Sequence, residues 1–125
     1  MILAVTLRQV HVAWAWVVIV LNAIAGAWAL AADRYTGLRR RELWRFTAVA
    51  QIAIFVQVML GVALVQSYDA DKLQMHIFYG FGSAFTVGII YSYRAQLKPW
   101  WYRLYGFGGL FLAGMALRSV VTGPH

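Results

Sequence analysis

Four long stretches of this chain carry almost no charged side chain, and each is closed by a short segment of polar and basic residues. The stretches run over about 10–32, 46–66, 75–93 and 104–121. The segments after the first three read DRYTGLRRRELWR, SYDADKLQ and RAQLKPWWYR, and the fourth stretch ends at TGPH. Each run is close to the roughly 20 apolar residues that cross a bilayer as a helix. None alternates polar and apolar positions as a barrel strand would, so helices satisfy the backbone in lipid. The connections are short, so successive helices are expected to be antiparallel neighbours. The predicted fold is an all-α integral membrane protein, one domain over 1–125, with four transmembrane helices in an up-down-up-down bundle.

Charge fixes an expected orientation. Arg34, Arg39, Arg40, Arg41 and Arg45 lie in the first connection, and Arg94, Lys98 and Arg103 in the third, which makes eight of the eleven Lys and Arg. The positive-inside rule puts that side in the cytoplasm. Both termini are then expected outside, with Arg8, Lys72, Arg118, Asp69 and Asp71. Trp14, Trp16, Trp44, Trp100 and Trp101 fall near span ends, where amphipathic rings anchor at the headgroups. The expected location is the bacterial inner membrane, crossed several times. The N-terminus has no basic region ahead of its apolar stretch and no cleavage-site pattern, so it is read as part of the mature chain.

Composition agrees with that picture: 62% of residues are hydrophobic and 12% charged. The net charge of +7 does not point to nucleic acid, because the basic residues sit in the connections between apolar runs. Cysteine is absent, which removes disulfides, thiolate metal sites and thiol nucleophiles. No carboxylate lies inside a span, so a proton- or cation-coupled carrier lacks its usual residue. Small multidrug transporters are similar in size and span number, but their membrane-embedded glutamate has no counterpart here. No hydrolytic or group-transfer constellation is present, and enzyme activity by this chain alone is not expected.

Two short words recur. QVHV at 9–12 opens the first span and QMHI at 74–77 the third. LWR at 43–45 then matches WYR at 101–103, and GVAL at 61–64 matches GMAL at 114–117. The order suits a tandem αα-hairpin repeat about an axis along the membrane normal, although several gaps are needed to align it.

The two histidines carry the sharpest chemical question. Topology places His11 and His76 at the same end of helices one and three, which are diagonal in a four-helix bundle. Neighbouring axes about 8–10 Å apart make that diagonal about 12–14 Å, a gap that suits a macrocycle ligated from both faces. Bis-histidine haem b needs one such residue on each of two facing helices, with His11 and His76 as ligands to the iron. Ala15 and Gly80, one turn deeper, would leave room for a porphyrin face. Arg8 and Arg118 could neutralise its propionates. The bland alternative is two interfacial imidazoles meeting water or an exposed carbonyl. Zinc is disfavoured because a closed site takes four ligands.

Other positions have ordinary roles to fill. Small-residue stripes at Gly80, Ala84 and Gly88, and at Ala23, Ala27 and Ala31, predict close helix packing. Asn22, Gln51 and Gln57 predict interhelical hydrogen bonds, or the lining of a quinone or substrate pocket. Arg39, Arg40 and Arg41 would act as a topology determinant that can also attract anionic lipid. Asp69 and Asp71 could pair with Arg118.

Three functional classes follow. The first is a non-catalytic accessory subunit of a larger membrane complex, respiratory or photosynthetic by fold-level analogy, with lipid and other membrane subunits as partners. The second is a haem b electron carrier on the histidine pair. The third is a small oligomeric channel or carrier.

Overall fold

The computed structural model describes residues 2–65 and 70–122, with side chains described over 6–65 and 73–122. Four helices make up the fold: α1 (Ile2–Arg34), α2 (Arg41–Leu64), α3 (Ala70–Tyr93) and α4 (Trp101–Thr122). All four are long and apolar enough to cross a membrane. Asp69 and the side chains of Asp71 and Lys72 fall outside what is described, and with them the expected pairing to Arg118.

The first helix begins eight residues before the expected span. No glycine or proline interrupts ILAVTLRQV, so nothing in that stretch stops a helix. Its 33 residues reach about 50 Å, well beyond a hydrocarbon core of about 30 Å. Its other end is firmly closed. Arg39 Nε donates to the Ala32 carbonyl at 2.7 Å and Nη2 to that of Asp33 at 2.9 Å. A cation there meets the negative end of the helix and satisfies carbonyls the helix leaves open. A 3-10 turn over Thr36–Leu38 then reverses the chain, and Trp28 Nε1 ties it down by donating to the Leu38 carbonyl at 3.0 Å. Pro99 sits in a second 3-10 turn, Lys98–Trp100, that leads into α4, where its missing N–H removes no helical bond.

Helix α1 packs most extensively against α4, then against α2; α3 packs mainly on α4, and the α2–α3 seam is the sparsest. Diagonal α1 and α3 make no broad contact, as the up-down-up-down arrangement requires. The central core joins Val18, Ala53, Ile54, Val87, Ile90 and Leu112 from all four helices.

Different devices hold the two α1 interfaces. Against α2, three side chains donate to main-chain carbonyls: Trp14 Nε1 to Ala53 at 2.9 Å, Asn22 Nδ2 to Ala50 at 3.1 Å, and Gln57 Nε2 to His11 at 2.8 Å. The expected interhelical roles of Asn22 and Gln57 are therefore present. Against α4 the backbones themselves meet. A Cβ on Gly26 would lie 2.6 Å from the Leu110 nitrogen, and one on Gly109 would lie 2.8 Å from the Gly26 Cα.

That close approach uses Gly26, Gly106 and Gly109 rather than the small-residue stripes singled out from the sequence. Ala27 is exposed on the outside of the bundle, with Ala23 and Ala31 only half-buried beside it. Gly88 is exposed, with nothing within 4 Å of where its Cβ would stand. Ala84 packs at the edge of the core and Gly80 faces the interior near Ser119. The α1 stripe misses because its inward line is Asn22, Ala25, Gly26, Ala29 and Ala32, all buried, set by the i, i+3, i+4 face of the helix.

An aromatic cluster closes the arginine-rich end. Trp44 meets Trp101, Tyr102 and Tyr105 with ring centroids 5.9, 5.4 and 5.3 Å apart. The Arg39 guanidinium lies 4.7 Å from the Tyr102 centroid. Arg103 pairs with Asp33 at 3.0 Å across α1 and α4.

Candidate histidine site

At the opposite end the bundle gathers its polar chemistry. Helix α1 presents His11, α2 presents Gln57 and Gly61, α3 presents His76, and α4 presents Ser119. The His11 and His76 ring centroids lie 6.0 Å apart with planes at 82°. Two histidines 65 positions apart in sequence thus meet at one depth, from helices that otherwise barely touch.

Each ring is held differently. The His76 Nδ1–H donates to the Ser119 carbonyl at 2.7 Å. The Ser119 hydroxyl lies 3.1 Å from the same nitrogen and donates to the His76 carbonyl at 3.3 Å. A neutral imidazole that donates through Nδ1 keeps a bare lone pair on Nε2. His11 has its main-chain carbonyl bound by Gln57, and the Cε1–Nε2 edge of its ring lies over Gly61. A Cβ on Gly61 would stand 3.3 Å from that Cε1 and 3.8 Å from Nε2. His11 Nδ1 and Gln57 Oε1 are both buried without a hydrogen-bond partner.

Below the rings the four helices line a partly open cavity of about 40 Å³. Ala15, Gln57, Gly80, Ser83, Ala116 and Ser119 are among its lining residues. The expected small residues, Ala15 and Gly80, are thus in place one turn deeper. Ser83 is buried and donates to the Tyr79 carbonyl at 2.8 Å, which satisfies it locally.

The remaining site residues named from the sequence are more peripheral. Arg8 and Arg118 are exposed, and the Arg118 guanidinium lies 6.0 Å from the Tyr79 ring centroid. Among the described residues no group of three or more His, Cys, Asp or Glu could hold a metal ion. The site therefore brings two imidazoles together, with no larger cluster of such side chains among the described residues.

The contacts around the two rings are not equivalent. Gly61 lies against His11, whereas its repeat counterpart Gly114 is exposed and has nothing within 4 Å of a notional Cβ. Ser119 and Gly61 escape a sequence reading for a simple reason. A serine at a helix end and a glycine inside a span are ordinary residues, and only the packing reveals what faces them. Comparison with protein-family models, curated proteins and solved structures finds no match, so the functional argument rests on this geometry.

Proposed function

We propose that this chain is a small b-type cytochrome of a membrane, with His11 and His76 as the axial ligands of one haem. The observation that carries the reading is the spacing of the two rings. A metal–imidazole bond of about 2.0–2.1 Å, plus about 1.1 Å from nitrogen to ring centre, puts two opposed imidazoles about 6.2–6.4 Å apart by centroid. The 6.0 Å found here is within a few tenths of that distance. The same spacing and angle are those of two rings in edge-to-face contact, so the reading draws on the spacing together with the outer hydrogen bond on His76.

The supporting residues suit the same chemistry. His76 has the outer hydrogen bond of a metal ligand, Nδ1–H to a main-chain carbonyl, which fixes the tautomer and makes Nε2 more basic. Small residues below the rings, Ala15, Gly80 and Ala116, line the space between the four helices. A cavity of 40 Å³ has room for water but not for a macrocycle. Seating a porphyrin therefore needs the helices to part at this end, and the α2–α3 seam is the sparsest between neighbouring helices. Arg8 and Arg118 stand on helices that reach the same end of the bundle, where their charge would favour the propionates.

Haem b supplies a site that takes up and gives back one electron. The chain's own part is to hold two imidazoles and keep the site at one membrane face. By the positive-inside rule that face is the outer one, with both termini there and the arginine-rich end in the cytoplasm of a bacterial inner membrane. The accessory-subunit reading draws on the apolar outer faces of the helices, which lipid covers equally well. It fits an electron carrier too, since such a protein works beside partners.

The test is an oxidised-minus-reduced visible spectrum of protein purified from haem-sufficient cells. The expected result is a Soret and α-band at one haem per chain, lost in both His11→Ala and His76→Ala. A colourless protein that also fails to bind added haemin would overturn the reading.

A further inference from the structure

We infer that Gln57 is the positioning residue for His11, holding its ring as the Nδ1–H tautomer, as the Ser119 carbonyl holds His76. The inference deepens the haem reading by naming what orients the second ligand, but the tautomer it assigns is a property of the haem-free chain.

Gln57 lies one helical turn from Gly61, over which the His11 ring sits, and its Nε2 is already committed to the His11 carbonyl at 2.8 Å. That bond fixes which way round the amide sits, and it leaves Oε1 as the free end. Oε1 is an acceptor only, and it is buried without a partner. His11 Nδ1 is likewise buried and unpartnered. An orphaned polar atom inside a membrane bundle carries a desolvation penalty of about 1–3 kcal/mol. Two such atoms on neighbouring side chains relieve each other only if one carries the proton. Oε1 cannot, so Nδ1 must. A water drawn from the cavity that Gln57 lines would bridge them.

The opposite assignment is unfavourable. With the proton on Nε2, the bare Nδ1 and Oε1 would be two buried acceptors facing each other with no donor between them. Nε2 would then point its hydrogen toward Gly61, where the Cε1–Nε2 edge of the ring lies. The Nδ1–H form instead gives both histidines a free Nε2 lone pair. It also makes the two ligands unequal. His76 leans on a main-chain carbonyl, which no substitution removes, whereas His11 leans on a side chain that can be changed.

The experiment is ¹⁵N NMR of histidine-labelled, haem-free protein in lipid nanodiscs, read for imidazole tautomer. The expected result is Nδ1–H at both His11 and His76 in the wild-type chain. In Gln57→Leu, His11 should turn to the Nε2–H form while His76 is unchanged; Gln57→Glu, which keeps an acceptor, should restore Nδ1–H. The His76 signal reports in each variant that the bundle is folded. A wild-type His11 found as Nε2–H overturns the inference without any variant, and so does a Gln57→Leu chain with His11 unaltered. Failure of the haem reading would show separately, as a chain that binds no haemin while its tautomers are as stated. In haem-loaded protein, Gln57→Leu should raise the midpoint potential, because an imidazole that has lost its acceptor donates less to ferric iron.

Discussion

Substituting Gly26 by alanine puts a methyl group where two helix backbones already touch. The new Cβ would lie 2.6 Å from the Leu110 nitrogen, 2.7 Å from the Gly106 oxygen and 3.0 Å from the Gly109 carbon. All three are main-chain atoms, so no side-chain rotation relieves the clash. Heavy-atom contacts at ease lie about 3.5–4.0 Å apart, so α1 and α4 must separate by about 1 Å. Overpacking of this kind costs about 1–3 kcal/mol. Replacing a helical glycine by alanine returns about 0.5–1 kcal/mol through backbone entropy. The net expectation is a loss of about 1–2 kcal/mol. Gly88→Ala is the matched control, since it has the same helical gain and no neighbour within 4 Å. Reversible unfolding in mixed micelles, titrated with a denaturing detergent, measures both. A Gly26→Ala chain as stable as Gly88→Ala would refute the close approach of α1 and α4.

Two further substitutions probe neighbouring parts of the account. Asn22→Leu removes the bond to the Ala50 carbonyl at a position 1% exposed; a loss of about 0.6–1.7 kcal/mol is expected in the same titration. Gly61→Val would drive the His11 ring from its seat, so haem content should fall sharply while helicity by circular dichroism stays unchanged. Full haem occupancy in that variant would mean that His11 does not bind from the position described.

The four helices were legible because a charge-free run of some twenty residues has one stable form in lipid. His11 and His76 were placed at one end of helices one and three from the short connections, and their rings lie 6.0 Å apart by centroid. Helix ends were less legible: α1 extends to Ile2 because hydropathy does not register where a helix continues outside the apolar run. The close approach of α1 and α4 uses Gly26, Gly106 and Gly109 rather than the stripes named from the sequence, since small residues permit close approach on any face and only the partner's shape decides which is used. Gln57 was recognised as an interhelical donor. That its acceptor is the main chain of His11 depends on the register of α1 against α2, which no periodicity encodes.

Electron paramagnetic resonance of the oxidised protein tests the central claim most directly, because it reads both the number of axial imidazoles and the angle between their planes. Two histidines on one iron at the 82° found here should give a low-spin signal of the large-gmax type that near-perpendicular imidazoles produce. A high-spin ferric signal would mean that one of the two rings is not a ligand. No haem signal at all, from protein purified with its haem supply intact, would contradict the account at its root.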